Sequence, residues 1–129
     1  MYTACYNLSI VHPSMPDDLL VALNEAAVEG LALIDAVILD YYPILPLYEI
    51  RPAYRIAAKE QWKDIGSVIA DGWGDCKDFT AWRLAELRKQ GVRARAKSYV
   101  ERQRKRLLFH TLVQYPNGHL EDPAKELGM

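Results

Sequence analysis

The chain has 129 residues, half of them apolar and 26 % charged, with a net charge of −1. That suffices for one core and not for two, so a single domain over residues 1–129 is expected, with an N-terminal strand and helix in 1–45 and a core in 46–129. Two cysteines, Cys5 and Cys76, exclude a disulfide framework, and Asp35, Asp40, Pro43 and Pro46 break the most apolar stretch, which excludes a membrane span.

The N-terminus lacks the basic start and apolar core of a signal peptide, so reduced thiols in a cytoplasmic setting are expected. Charge is segregated along the chain. Residues 1–50 hold seven acids (Asp17, Asp18, Glu25, Glu29, Asp35, Asp40 and Glu49) and no Lys or Arg, whereas residues 83–106 hold ten basic residues against two acids. Either the two segments face different subunits or partners, or they lie together and neutralise one another.

Tyr2, Ala4, Tyr6, Leu8 and Ile10 alternate with Thr3, Cys5, Asn7 and Ser9, the period of a strand. His12-Pro13 ends it, Ser14 offers an N-cap, and Leu20, Leu23, Ala27, Leu31, Ile34 and Ile38 keep helical spacing until Pro43. At roughly 25 residues such a helix would be about 37 Å long, long enough to project or to meet a neighbouring subunit. Residues 44–58, with Pro46 and Pro52, read as ordered loop, followed by a short helix around Glu60 to Ala70.

A tight Gly72-Trp73-Gly74-Asp75 turn delivers Cys76 to the first turn of a helix running to Gln90, with Phe79, Leu84 and Leu87 inside and Gly91 as the stop. Strands follow at Val92–Val100, Leu107–Tyr115 and His119–Asp122, and residues 101–106 form a charged hairpin tip.

A thiol at a helix N-terminus, where the dipole favours a thiolate, then a histidine and an aspartate in that order supply a nucleophile, a base and an orienting group. Register tests whether they can converge. Tyr115-Pro116-Asn117-Gly118-His119 suits a three-residue hairpin loop with Gly118 left-handed, which pairs Leu112 with Asp122 and puts Asp122 on the face of His110. A two-residue loop would invert that face. Geometry therefore favours His110 over His119 as the base. Taken one by one, a buried cysteine, a strand histidine and an Asp-Pro turn are ordinary structural residues.

Gly74-Asp75-Cys76-Lys77-Asp78-Phe79 with Leu87 and Gly91-Val92-Arg93-Ala94-Arg95 resembles the nucleophile helix and next strand of the transglutaminase-like superfamily. His110-Thr111-Leu112-Val113, Pro116-Asn117-Gly118 and Asp122-Pro123 are similar to that family's histidine strand, hairpin and Asp-Pro, so the likeness spans roughly residues 62 to 125. Pro46-Leu47-Tyr48 and Tyr54-Arg55 add a resemblance to small transglutaminase-like proteins of tailed-phage structural gene clusters.

The resemblance implies an α+β, papain-like fold: a nucleophile helix packed on a small antiparallel sheet, preceded by the N-terminal strand and long helix. It implies catalytic Cys76, His110 and Asp122, acting on peptide-type amides through a thioester with no cofactor and no metal. The Cys76 N–H is one oxyanion donor, and Trp73, Trp62 and Tyr48 are candidates for a second or for substrate contact, although each reads more readily as a core or rim aromatic. Thr111, Leu112 and Leu120-Glu121 replace aromatics usual in the family, and with the last residue seven after Asp122 a reduced, open sheet is expected. Hydrolysis is favoured over cross-linking, since a small domain excludes water poorly. The alternative is a non-catalytic viral structural or assembly protein, in host cytoplasm or virion, joined to copies of itself or to virion proteins through the acidic helix and the basic 83–106 segment. That basic segment lacks interleaved aromatics, which disfavours nucleic acid as a partner.

Overall fold

The computed structural model describes residues 12–57, 60–104 and 106–129, and the backbone of 5–6. Most of the expected N-terminal strand, Tyr2 to Ile10, lies outside the described residues. The described part, β1 (Cys5–Tyr6), pairs antiparallel with β3 (Trp62–Lys63).

Helix α1 (Asp17–Tyr41) covers the 25 residues expected. Its start differs: Pro16 holds the cap position, and the Ser14 hydroxyl turns back to His12 Nδ1 at 2.7 Å. The buried face is Leu20, Asn24, Val28, Leu31, Ala32, Asp35 and Leu39, rotated from the apolar count because that count skipped two polar residues. Both are bonded in the core. Asn24 Nδ2 donates to Ser98 Oγ (2.8 Å) and Thr111 Oγ1 (2.9 Å), and Asp35 accepts from the Ile65 amide (2.9 Å). Burial raises the Asp35 carboxyl well above the usual carboxylate range.

The proline-rich stretch is not all loop. Pro46 opens a single helical turn, α2 (Leu47–Ile50), and β2 (Ala53–Tyr54) pairs in parallel with β4 (Trp73–Gly74). Helix α3 (Ile65–Asp71) starts later than expected, because Asp64 caps it by accepting from the Ser67 amide at 2.8 Å. Gly72, at φ 79°, ends it in the left-handed conformation that glycine adopts without strain.

Helix α4 (Cys76–Lys89) is buried on nearly every side, from Cys76 through Leu87 with only Arg83 partly outside. The expected one-sided stripe was too narrow, because α1, α2, α3 and the sheet all pack on this helix. Its first turn is closed by Asp78, whose Oδ2 accepts from the Asp75 amide at 3.1 Å.

The main sheet is antiparallel, in the order β5 (Arg95–Gln103), β6 (Arg106–Gln114), β7 (Leu120–Glu121). The β5 and β6 strands pair as far as Gln103 and Arg106, so they continue into the charged tip expected at 101–106. One sheet face, with Ala96, Ser98, Thr111 and Val113, packs on α1 and α4. A last turn, α5 (Pro123–Glu126), rests on α4. The fold is thus α+β.

The opposite-signed segments meet. Glu29 pairs with Arg88 at 2.5 Å and Asp17 with Arg102 at 2.7 Å, so neutralisation within the chain accounts for part of the asymmetry. No helix among the described residues is long and apolar enough to cross a membrane.

Gly74 makes the cysteine turn possible by its lack of a side chain. A Cβ there would stand 2.9 Å from the buried Phe79 ring and 3.3 Å from both Asp78 and Val68. Gly74→Ala should therefore lower stability by about 1–3 kcal/mol in urea unfolding, the range for forcing a methyl into a packed core.

Candidate active site

The hairpin after β6 has the three-residue loop. Tyr115 N–H donates to the His119 carbonyl at 2.8 Å, Gly118 has φ 88°, and Val113 faces Glu121, so Leu112 lies opposite Asp122. Asp122 accordingly reaches His110: His110 Nε2 and Asp122 Oδ2 are 2.6 Å apart. The other oxygen, Oδ1, accepts from the Lys125 amide at 3.2 Å and caps α5. One carboxylate thus orients the imidazole and starts a helix, and Nδ1 is the ring nitrogen left for other chemistry. His119 is exposed, its ring against Tyr115.

Cys76 approaches the same strand from the side. Pairing with β5 alternates, so residues 106, 108 and 110 turn their peptide groups toward β5 while 107, 109 and 111 turn theirs to the opposite edge. β7 covers that edge only at Val113 and Gln114. Two side chains of α4, one turn apart, take over beyond it. Thr80 Oγ1 donates to the Thr111 carbonyl at 3.0 Å, and Cys76 Sγ donates to the Phe109 carbonyl at 3.8 Å. The sulfur's hydrogen bond therefore goes to the peptide preceding His110 and not to the imidazole.

The helix N-terminus does not deliver a thiolate at rest. Burial pushes the thiol up, the Asp75 carboxylate pushes it further, and the Thr111 amide and Lys77 oppose them only in part, leaving it at about 11. Lys77 is itself engaged by an ion pair with Asp75. Cys76 is a free thiol at the wall of a cleft of about 410 Å³, bordered by Ile56, Lys77, Leu107, Leu108 and Phe109.

The three aromatics considered for oxyanion or substrate contact are engaged elsewhere. Trp62 is core, 3 % exposed, and its indole N–H finds no acceptor among the described residues. Trp73 carries two cations over its ring, Lys63 at 3.0 Å from the ring centre and Arg55 at 4.9 Å. Tyr48 donates to Glu121 at 2.5 Å. None of the three borders the cleft that holds the sulfur.

Two contributors lay outside the sequence reading. Glu121 accepts from Tyr48, from Tyr115 (2.5 Å) and from Arg83 Nε (2.7 Å), tying the residue before Asp122 to α2, β6 and α4. Burial raises its carboxyl, but the three donors outweigh burial and hold it below the usual range. Tyr54 is the second. Its pairing with Gly74 sets it two residues from the nucleophile, and burial, then the charges of Cys76, Asp75 and Asp122, hold its phenol protonated. The acid beside the Asp-Pro was a readable signal for Glu121; nothing local marks Tyr54.

Among the described residues no group of three or more His, Cys, Asp or Glu side chains is arranged to hold a metal ion. Comparison with known protein families finds no matching family, and comparison with curated proteins and with solved structures finds no match. The side chains themselves therefore carry the functional reading.

Because asparagine also caps helices, Asp122→Asn should keep α5, whereas Asp122→Ala should lose cap and partner together. Urea unfolding is expected to find Asp122→Ala less stable than Asp122→Asn by about 1 kcal/mol. Equal stability would mean that Oδ1 does no capping.

Proposed function

We propose that the chain is a transglutaminase-like thiol enzyme of papain-like architecture, cleaving peptide-type amides through a thioester. The observation that carries this reading is the Asp122-held imidazole on β6, with the Cys76 sulfur bonded to the peptide immediately before it. Sulfur, imidazole and carboxylate then act as nucleophile, base and orienting group.

In this mechanism the sulfur adds to the amide carbonyl while its proton passes to His110 Nδ1. The tetrahedral oxyanion is met by the Cys76 N–H, which at the first position of α4 has no acceptor within the helix. The Tyr54 phenol, protonated and carried on β2 beside Gly74, is the second donor in this reading. Collapse breaks the C–N bond, the amine leaves with the proton from His110, and a thioester remains. Water, deprotonated by His110, then releases the acid and regenerates the thiol. Hydrolysis is favoured over transfer to an amine, because so small a domain excludes water poorly from a thioester.

With a neutral resting thiol, proton transfer must accompany attack. A non-catalytic viral assembly module is the second reading, and the same buried thiol is the observation that favours it. Turnover of a peptide p-nitroanilide by the wild type, with losses of about 100-fold or more in both Cys76→Ala and His110→Ala, decides for the enzyme. Unchanged turnover in Cys76→Ala would remove the enzymatic reading.

The pH profile of alkylation is an independent check. A thiol displaced to about 11 is mostly protonated at neutral pH, so iodoacetamide labelling of Cys76 should keep rising from pH 7 toward 11. A plateau already reached at pH 7 would instead mean a stable thiolate–imidazolium pair.

A further inference from the structure

The edge of β6 that receives Cys76 continues past it. Beyond the sulfur, the outward peptide groups of Leu107 and the N–H of Phe109 have no strand beside them among the described residues. Such a row of unpaired donors and acceptors is a template for another strand. Here it forms one wall of the cleft, which is bordered by apolar Ile56, Leu107, Leu108 and Phe109, by charged Glu60, Lys77 and Arg106, and by Cys76.

We infer that the cleft binds its substrate as an extended polypeptide strand, added to the open edge of β6 at Leu107–Phe109 so that a backbone carbonyl lies against Cys76. The inference rests on the acyl-transfer reading and names its substrate class: a chain in β conformation, held chiefly through its backbone. Ligand carbonyls accept from the Leu107 and Phe109 N–H groups, and a ligand N–H donates to the Leu107 carbonyl. Because a strand's side chains alternate, those of the ligand meet Leu107 and Phe109 on one sheet face and Leu108 on the other. Folded helical segments and isolated amino acid amides lack the extended backbone and bind poorly.

Backbone recognition has a signature that side-chain recognition lacks. Only every second N–H of a strand points toward its neighbour, so methylating one alternate set of peptide nitrogens removes binding while methylating the other set spares it. The probe is a fluorescein-labelled octapeptide of alternating valine and alanine with lysine ends, titrated onto the Cys76→Ala protein by polarisation. One N-methylated series is expected to bind about tenfold or more weakly and the complementary series within about twofold, from the loss of two or more hydrogen bonds. Equal effects of the two series, or no saturable binding at millimolar peptide, would overturn strand addition.

The same measurements separate this inference from the chemistry beneath it. Alternating sensitivity with no wild-type turnover would leave the docking edge standing and remove the enzyme. Thiol-dependent hydrolysis of a small activated ester, with no alternation among the peptides, would keep the enzyme and overturn the edge. A dimer in sedimentation that the peptide dissociates would assign the edge to a second copy of this chain, and would also overturn the inference.

Discussion

Strand β6 has two edges to satisfy, and the strand that follows it covers only two residues of the second. Helix α4 supplies what is missing, because Cys76 and Thr80 lie one turn apart and meet carbonyls two residues apart on the strand. This seam decides where the sulfur sits. Unmet backbone carbonyls in a buried place would each cost on the order of 1–3 kcal/mol, so the helix is held in register by backbone satisfaction as well as by packing. The nucleophile proposed for the site is thus also part of the joint between the two halves of the core.

Polar groups hold the other members in place. Glu121 gathers donors from three elements and fixes the short β7, which in turn fixes Asp122 opposite Leu112. Asn24, Ser98 and Thr111 form a buried triangle that locks α1 onto the inner face of β5 and β6. Hydrogen bonds of this kind are directional, so they select one register where apolar packing alone would tolerate several. His110 is carried on the opposite face, at a position that this register dictates.

The resting site is electrostatically restrained. Burial and Asp75 disfavour the thiolate, and the sulfur's proton is given to a carbonyl. A buried, neutral thiol of this kind reacts slowly with electrophiles from solvent.

What the sequence by itself determined follows from local chemistry: the long first helix ended by Pro43, the cysteine at the start of α4 set by Gly74 and Asp75, and the hairpin register set by Pro116, Asn117 and Gly118. Two- and three-residue turns admit few backbone conformations, so that register, and with it the His110–Asp122 pair, could be read before any coordinates. Other features had no local signal. The buried face of α1 turns on Asn24 and Asp35, which look like surface residues until their partners on β5, β6 and α3 are known. The burial of α4 on nearly all sides, the surroundings of Tyr54 and the displaced thiol come from elements distant in the chain. Only tertiary structure decides them, because desolvation and hydrogen-bond partnership belong to the assembled interior and not to any segment of it.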